Sequence, residues 1–396
     1  MKIPILDELE LEGRTVFIRV DFNVPLDEEG KITDDRRIRE ALPTIRHAID
    51  RGGRVVLASH LGRPKGKPNP AFSLLPVGER LSELLELDVV FGDDCVGDAV
   101  RRMTSELAVG GVILLENLRF HGGEEKNDRG FARQLAAGVD VWVMDAFGTA
   151  HRAHASTAGM AEFVEARAAG FLVKKELEYL GRALQDPKRP FMAVLGGAKV
   201  TDKIRVIDSL ITRCDALLIG GAMAYTFLKA DGQSIGESRV EDEEGLEAAA
   251  RILDRARERK VELRLPIDHL VVESLEDEKG QVTEGASIPT GKMGVDIGPR
   301  TLAQYRERLA EAGTVFWNGP MGIFEREAFA RGTLGVAEAL AASGAISVVG
   351  GGDSASAVEV AGVADRITHV STGGGASLKF LEGKPLPALQ ALAGES

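Results

Sequence analysis

The sequence predicts an α/β protein with two doubly wound parallel-sheet (Rossmann-like) domains joined by a helical hinge. Three observations predict this fold. Short apolar runs typical of buried strands alternate with helix-like stretches along all 396 residues, as in parallel sheets with helices on both faces. The strand-like runs are too numerous for one ordinary sheet. A helix-like stretch near the middle, ended by a proline-containing segment, separates two halves of similar size.

The individual elements follow from apolar runs and from apolar residues repeated at helical spacing. In the first half, the predicted strands are 15–20, 54–59, 112–115 and 141–145, and the predicted helices include 37–50 and 128–137. In the second half, the predicted strands are 191–195, 216–219, 314–317, 346–349 and 367–370, and the predicted helices include 241–259 and 300–311. Residues 241–264 are rich in charge and are most simply a solvated helix.

The hinge is predicted where leucines at helical spacing give way to Gln185, Asp186 and Pro187. Because proline cannot continue a helix, the helix ends there. We therefore expect an N-terminal domain at 1–172, a hinge helix at 173–188 and a C-terminal domain at 189–380.

Composition excludes several classes of protein. A hydrophobic content of 44% and a charged content of 28% describe a soluble globular chain, and no apolar run approaches the length of a membrane span. The N-terminus has acids where a secretory signal needs an apolar core, so we expect a cytoplasmic protein. The net charge of −12 argues against a nucleic-acid partner. Cys95 and Cys214 are expected to be buried reduced thiols, with no sign of metal ligation.

A glycine-rich turn in the second half is the most informative segment. The apolar run 346–349 is followed by Gly350, Gly351, Gly352 and Asp353, and then by small residues that suit a helix. A helix start after glycines offers free N–H groups to a phosphate. The Asp353 carboxylate would repel a bare phosphate, but it suits a divalent cation placed between them. The segment therefore indicates a complex of metal and nucleotide.

Two other interpretations of this turn are possible. Gly350, Gly352 and Ala355 also fit the dinucleotide pattern G-x-G-x-x-A. A dinucleotide site needs an acid about 20 residues further on, whereas the next apolar run, 367–370, is followed by Ser371. A dehydrogenase is therefore disfavoured. A tight turn without a ligand is disfavoured because several more glycine-rich turns follow.

Polar side chains follow the predicted strands of the first half, where loops after parallel strands share one edge of the sheet. The candidate binding residues are Asp21, Asn23, Arg37, His60, Arg63, Arg119 and Arg152, with His151 beside them. A single arginine of this kind is more often a surface ion pair, and Asp21 could likewise pair with a neighbouring arginine. Several arginines at one edge suit carboxylate and phosphate groups. The predicted ligand is a small, doubly anionic and hydroxylated molecule.

The loops of the second half indicate a nucleotide site. Lys199 and Lys203 lie one helical turn apart at a glycine-rich helix start and suit phosphate oxygens. Further candidates lie in the other loops: Gly220, Gly221, Asn318, Pro320, Glu325, Gly374 and Gly375. No P-loop pattern and no nucleophile arrangement occurs in the sequence. These features favour direct phosphoryl transfer by positioning and charge stabilisation.

The chain resembles the phosphoglycerate kinase family along its whole length. The segments that carry the resemblance are RVDFNVP, SHLGRP, ENLRF, DAFGTAHRAHAS, VLGGAKVTDKI, FWNGPMGIFE, GGGDSASA and HVSTGGGASL. The resemblance implies reversible transfer of a phosphoryl group from 1,3-bisphosphoglycerate to Mg-ADP, giving 3-phosphoglycerate and ATP, by direct in-line transfer after domain closure. It also implies a monomer whose partners are these small molecules. A catalytically silent nucleotide-binding protein on the same scaffold is the alternative.

The resemblance assigns roles residue by residue. The seven candidates of the first half would hold the phosphoglycerate, and Arg37 would also act on the transferred group. Lys199 would stabilise the moving phosphoryl group, assisted by the backbone of Gly374 and Gly375. The remaining candidates would bind the nucleotide: Lys203, Gly220, Gly221, Gly294, Asn318, Pro320, Glu325, Gly351, Gly352, Asp353 and Ser354, with Asp353 also holding Mg²⁺. Residues 381–396 would return to the N-terminal domain.

Two positions depart from the family pattern. Ser354 stands where the family usually has threonine, and the hydroxyl is kept. Lys292 stands where the family often has tryptophan, next to Met293 and Gly294. The second departure could alter nucleotide affinity.

Overall fold

The computed structural model describes residues 3–394, with only the backbone described at 182–184. The chain divides into two compact units. The first contains the residues up to Leu177 and those from Pro385 onward, and the second is Glu178–Lys384. The division falls inside the helix Phe171–Gln185. The predicted limits of domain and hinge at 172, 188 and 380 remain predictions.

The first unit is a parallel sheet with helices around it. Its strands are β1 (Thr15–Arg19), β2 (Arg54–Ala58), β3 (Val89–Phe91), β4 (Val112–Leu114), β5 (Val141–Met144) and β6 (Ala166–Ala169). Its helices are α1 (Arg36–Asp50), α2 (Leu75–Leu85), α3 (Asp98–Glu106), α4 (Gly122–Glu125) and α5 (Arg129–Leu135). Helix α6 (Phe171–Gln185) begins in this unit. A helix close to the C-terminus, Pro387–Ala393, also belongs to it, and Ala388 N donates to Ala150 O at 3.2 Å.

The strand order in this sheet is β3-β4-β2-β1-β5-β6, and all neighbours are parallel. After β1 the chain forms β2, β3 and β4 on one side of β1. It then returns and forms β5 and β6 on the other side. The order therefore reverses between β1 and β5. Ligands of open α/β sheets bind outside the carboxyl ends of the strands at such a reversal. The loops after these two strands are the expected site.

The core of the first unit explains why its central strands appear in the sequence as continuous apolar runs. Strand β1 is buried at all five positions, because helices cover both faces of a parallel sheet. Helix α1 packs its apolar stripe, Ile38, Ala41 and Ile45, into this core. Strand β1 ends in Arg19, whose side chain is fully buried.

The second unit holds a second parallel sheet. Its strands are β7 (Phe191–Leu195), β8 (Ala216–Ile219), β9 (Glu262–Arg264), β13 (Thr314–Asn318), β14 (Ile346–Gly350) and β15 (His369–Val370), while β10 (His269–Val272), β11 (Gln281–Val282) and β12 (Met293–Ile297) form a separate sheet. Its helices are α7 (Ile204–Ile211), α8 (Met223–Ala230), α9 (Glu243–Arg259), α10 (Pro299–Ala310), α11 (Arg331–Ala342), α12 (Gly352–Val360) and α13 (Gly375–Leu381).

The six-stranded sheet of the second unit has the order β15-β14-β13-β7-β8-β9 and is also parallel. Here the order reverses between β7 and β13. The loops after these two strands, 196–203 and 319–325, are therefore expected to border the ligand site of this unit. The prediction of two doubly wound parallel sheets is confirmed.

The sequence prediction missed some elements. The short strands β3, β6 and β9 lie at or near sheet edges and are only partly buried, so they lack a continuous apolar run. The three-stranded sheet β11-β10-β12 is antiparallel and was not predicted either. In the described part of the chain, no helix is both long and apolar enough to cross a membrane.

Helix α9 begins two residues later than predicted, and the side chains explain why. Asp242 caps the helix by accepting from Gly245 N at 3.2 Å, and Glu243 and Glu244 fill the first turn, where acids are favoured. Glu241 instead lies outside the helix, where its carboxylate accepts from Val200 N at 2.5 Å. The residue therefore anchors the loop that follows β7.

Candidate active site

The first unit brings Asp21 and Arg37 together beyond the end of β1. The Arg37 guanidinium donates to the Asp21 carboxylate at 2.5 Å, and Asp21 is largely buried. Burial alone would raise the pKa of Asp21, but the neighbouring charges, above all that of Arg37, lower it to about 2. Asp21 is therefore an ionised acceptor at neutral pH. This ion pair is one of the two interpretations offered by the sequence, and it leaves the remaining N–H groups of Arg37 for an anion.

His60 lies at the end of β2, within 3.9 Å of the Asp21 carboxylate and 5% exposed. Its Nδ1 lies 3.2 Å from the guanidinium of Arg19. Burial lowers the pKa of His60 well below its ordinary value, and Asp21 opposes this only in part. The neutral imidazole accepts from Arg19 at Nδ1, so Nε2 carries the proton and can donate to a ligand.

Arg119 is held by the loop after β2. Its side chain is 4% exposed, and its guanidinium donates to Gly62 O at 2.7 Å. Asn23 fixes the same loop, because its carbonyl oxygen accepts from Gly62 N at 2.8 Å. Burial lowers the pKa of Arg119, with Glu125 opposing and Arg152 and Arg19 adding to the effect. Several cations held close together are costly unless an anion joins them.

Arg63 and Arg152 complete the set of arginines. Arg152 donates from Nε to the ring nitrogen of His151 at 3.2 Å and lies near enough to Arg119 to lower its pKa. Arg63 is exposed, and within the described residues no side-chain partner holds it. Of the seven residues predicted for this site, contacts or charge interactions thus join six, whereas Arg63 is placed only by its position in the loop after β2.

The sequence reasoning missed Arg19 as a functional candidate. Its guanidinium is fully buried, donates to Ser156 Oγ at 2.8 Å and contacts His60. Glu124 is also fully buried, and its carboxylate accepts from Ser156 Oγ at 2.6 Å. Burial lowers the pKa of Arg19, and the Glu124 charge opposes this. An arginine that ends an otherwise apolar strand is the sequence signal that could have identified this positioning network.

In the second unit, Lys203 binds the end of strand β13. Its ammonium donates to Asn318 O at 3.0 Å and to Asn318 Oδ1 at 2.5 Å. Burial lowers the pKa of Lys203 to about 8, and Asp353 and Asp202 oppose the shift. Asp353 therefore lies near enough to Lys203 for its charge to act on the ammonium group. Asn318 also donates to Gly350 O at 2.7 Å, so one amide joins the loops after β13 and β14.

Glycines let the loops after β7, β8 and β13 approach one another closely. Gly197 N donates to Pro320 O at 3.0 Å, and Gly221 N donates to Met321 O at 2.9 Å. Both glycines have positive φ, and a Cβ on Gly221 would meet the backbone of Gly197 and Pro320. Only glycine fits such a position without strain. A Cβ on Gly220 would meet the side chain of Met321.

A glycine turn joins β14 to the start of α12, as the sequence predicted. Gly351 has φ +94° and precedes the helix, and no side chain caps the first turn, so backbone N–H groups there are free for an anion. Ser354 is fully buried and its hydroxyl accepts from Gly319 N at 2.6 Å. That hydroxyl therefore braces the loop after β13. Asp353 is exposed in the same turn, and no side chain of the described residues bonds to it.

Gly294 lies on β12, where it packs against Tyr225 of α8. Its N–H donates to Ser238 Oγ at 2.9 Å, and a Cβ at this position would clash with the hydroxyl of Tyr225. Tyr225 is itself buried and lies in the first turn of α8, which follows the Gly221 turn. Lys292, the second departure from the family pattern, directly precedes β12 and donates to Gln281 at 2.8 Å on β11, the strand on the far side of β10. It is thus engaged in the antiparallel sheet.

Within the described chain, no contact joins Lys199, Glu325, Gly374 or Gly375 to this group. Lys199 and Glu325 are exposed, with no side-chain partner among the described residues. Gly374 has positive φ and precedes α13. Their roles stay predictions.

Each unit thus carries, at the reversal of its own sheet, an edge whose groups suit an anion. The first edge is rich in guanidinium groups, and the second combines glycine turns, a lysine and a helix N-terminus. Such a pair defines an enzyme that transfers a phosphoryl group between two small molecules.

Comparisons with known proteins support this class of enzyme and identify the family within it. The family model "Phosphoglycerate kinase" matches residues 6–384. The chain is 60% identical to a phosphoglycerate kinase of Anaeromyxobacter sp. (strain Fw109-5), covering 100% of both chains. It is 54% identical to that of Koribacter versatilis (strain Ellin345), covering 99% of both. A solved phosphoglycerate kinase from Coxiella burnetii superposes with a TM-score of 0.90 at 44% identity, covering 99% of both chains. The chain therefore belongs to the phosphoglycerate kinase family.

Proposed function

We propose that this chain catalyses the reversible transfer of a phosphoryl group from 1,3-bisphosphoglycerate to ADP, giving 3-phosphoglycerate and ATP, a reaction of glycolysis. The observation that carries the proposal is the pair of anion-binding edges, one on each unit, in a full-length member of this family. Among the residues that the structure describes, neither edge contains a nucleophile arrangement. The reaction between groups that are already ionised needs none.

The first unit binds the phosphoglycerate in this proposal. The ionised Asp21 and the amide of Asn23 suit a hydroxyl, while the guanidinium groups suit the carboxylate and phosphate. The full set is Asp21, Asn23, Arg37, His60, Arg63, Arg119 and Arg152. Arg19 is a positioning residue, since it holds the neutral His60 from behind.

The second unit binds the nucleotide. The adenine lies against Gly220, Gly221, Gly294 and Pro320, and Glu325 holds the ribose. Lys203, Asn318, Ser354 and the backbone of Gly351 and Gly352 position the phosphates. Gly374 and Gly375 donate backbone hydrogen bonds to the phosphoryl group in transit, and Lys199 and Arg37 stabilise its charge.

The residues present also fit a magnesium ion. The exposed Asp353 carboxylate has no side-chain partner in the described chain and stands in the first turn of α12, and a carboxylate oxygen is the ligand that Mg²⁺ prefers. Mg²⁺ bound with the nucleotide would neutralise phosphate charge. Asp353 would hold it, and Lys203 would neutralise the phosphates from the other side.

The test is a coupled spectrophotometric assay of the purified chain with ATP, 3-phosphoglycerate and Mg²⁺, and a control without metal. We expect turnover that needs all three. A folded protein that binds ADP but shows no turnover would contradict the proposal and would favour the catalytically silent alternative.

Replacement of Asp353 by alanine is expected to weaken binding of Mg-ADP by about tenfold, equivalent to about 1.4 kcal/mol, because a ligand of the cation is lost. Binding of ADP without metal should change little. Calorimetric titration of both nucleotide forms measures the difference. The matched control is Asp365→Ala, which removes an exposed acid between α12 and β15. Equal losses with and without metal would contradict this role of Asp353.

The affinity for ADP should fall as the pH rises above about 8. Burial lowers the pKa of Lys203 to about 8, so in the free protein the side chain is charged below this pH and neutral above it. A neutral amine cannot hold phosphate, and Kd should rise by up to about tenfold per pH unit. Calorimetry between pH 7 and 9.5 should show a flat profile for Lys203→Arg, whose charge persists. Parallel profiles for the two proteins would exclude Lys203 as the titrating group.

We further propose that the two units close on each other when both substrates bind, with the hinge in the predicted segment 173–188, whose helical part ends at Gln185. In-line transfer requires the two reacting groups to meet, and closure excludes water from the acyl phosphate. The radius of gyration from X-ray scattering should therefore decrease only when both ligands are present. An unchanged profile would count against closure.

The cellular setting is also part of the proposal. We infer a cytoplasmic monomer whose partners are its small-molecule substrates. The net charge of −12 supports the absence of a nucleic-acid partner.

A further inference from the structure

A group of three potential metal ligands lies outside both edges described above, within the first unit. Asp94 and Cys95 follow strand β3, and His121 follows the short turn Leu118–Phe120. One ligand atom from each of the three side chains lies within 4.8 Å of the other two. Elsewhere in the part of the chain that the structure describes, no group of three such side chains meets this distance.

The sheet explains why residues so far apart in sequence meet. Strands β3 and β4 are parallel neighbours, with Phe91 opposite Leu114, and Gly92 N continues the pairing by donating to Leu114 O at 2.9 Å. The chain leaves both strands at the same edge. The loop that begins at Gly92 and the turn that precedes His121 are therefore placed side by side.

The His121 ring is already oriented for ligation. It stacks on Phe131 with 5.0 Å between ring centroids and 23° between planes. This contact directs Nε2 toward the Asp94 carboxylate, 2.6 Å away. A ring fixed by packing loses little freedom when it binds a metal. The side chains of His121 and Asp94 are 34% and 50% exposed, so a cation can reach them from solvent.

Cys95 is the buried member of the group. It is 2% exposed and carries no disulfide. Two acidic side chains, Asp94 and Glu124, lie close enough to act on it electrostatically. A buried thiol among acids is shielded from oxidants and lacks the positive surroundings of a reactive cysteine. The same negative field attracts a cation, so ligation explains this environment better than redox chemistry does.

We propose that Asp94, Cys95 and His121 bind a zinc-class divalent cation, with three protein ligands and a water in the fourth position. Thiolate and imidazole ligands select zinc-class ions over Mg²⁺, which separates this site from the nucleotide site. Binding releases the thiol proton to solvent and moves the Nε2 proton of His121 to Nδ1. The thiolate and the carboxylate then balance the two positive charges of the ion.

The cation also affects the phosphoglycerate edge, a consequence that rests on the proposed function. His121 directly follows the turn that carries Arg119, and Arg119 O accepts from Gly66 N at 3.1 Å. Arg119 already contacts Gly62 without a cation. A metal that enters between His121 and Asp94 must separate their hydrogen-bonded atoms, and we infer that His121 takes up part of this displacement and shifts the turn. Such a shift moves Arg119 from its position and weakens anion binding.

Cobalt(II) is the probe that tests the site itself. One equivalent of Co²⁺ added to the full chain should give a thiolate-to-cobalt charge-transfer band and four-coordinate visible bands, both displaced by Zn²⁺. The bands should persist in Cys214→Ser, which removes the buried thiol of the second unit. They should disappear in Cys95→Ser. A band that is absent from the wild type, or that survives Cys95→Ser, would overturn the site.

The exposed ligands keep the test decisive if Cys95→Ser does not fold. His121→Gln and Asp94→Asn retain the thiol, and each should weaken Co²⁺ binding by roughly 10- to 100-fold. Unchanged Co²⁺ affinity in both would also overturn the site.

Titration of 3-phosphoglycerate with and without Zn²⁺ tests the coupling. The Kd should rise about fivefold with Zn²⁺ in the wild type and stay constant in His121→Gln. An intact cobalt spectrum with an unchanged Kd would refute the coupling while the metal site stands. A chain that binds no 3-phosphoglycerate at all would refute the proposed function, and the cobalt spectrum would still decide the metal site.

Discussion

Replacement of Lys199 by alanine is expected to lower kcat by roughly 10²- to 10³-fold and to change KM for either substrate by less than about threefold. Lys199 is exposed and has no side-chain partner in the described structure, so its loss disturbs no internal contact. Its charge acts on the phosphoryl group in transit. An interaction made only in the transition state affects kcat and leaves binding nearly unchanged.

Steady-state kinetics with each substrate varied in turn measures both parameters. The matched control is Lys229→Ala, which removes an exposed lysine at the end of α8 and should leave kcat unaltered. A Lys199→Ala protein whose loss lies only in KM would show that Lys199 serves ground-state binding instead.

Replacement of Arg37 by alanine is the second change with a large expected effect. We expect kcat to fall by roughly 10²- to 10³-fold and KM for 3-phosphoglycerate to rise by about tenfold. Among the neighbouring charges, that of Arg37 contributes most to the low pKa of Asp21. Its removal leaves a buried carboxylate beside an anionic substrate, so repulsion adds to the lost hydrogen bonds.

Arg36→Ala is a closely matched control. Arg36 and Arg37 begin the same helix, and both side chains are 35% exposed, but Arg36 pairs with Asp34. The Arg36→Ala protein should keep nearly wild-type kinetics. Similar losses in both variants would mean that the helix start, and not the Arg37 guanidinium, causes the effect.

Most of the secondary structure that builds the two sheets could be predicted from the sequence. Strands β1, β7 and β13 are buried at every position, and a strand buried on both faces has an apolar run that is visible in one dimension. Strand β9 is half-buried throughout and pairs only along one edge. It carries no such run, and the sequence prediction missed it.

The candidate site was predictable to the extent that its residues lie in glycine-rich or arginine-bearing loops after strands. Arg37 and Lys203 were found in this way. Arg19 was missed because its importance comes from burial against Ser156 and Glu124, which lie more than a hundred residues away. Glu241 was assigned to a solvated helix, whereas it holds the Lys199 loop through Val200 N.

The sequence by itself determined the fold class, the family and the residue types at each strand end, because apolar runs, glycine turns and motif segments are local properties of the chain. The tertiary structure alone decided which of these residues meet. It makes Asp21 an ionised partner of Arg37, turns the Ser354 hydroxyl toward Gly319, and places His121 against Asp94. The physical reason is that hydrogen bonds, burial and pKa shifts depend on distances in space, and the packing of neighbouring strands sets these distances.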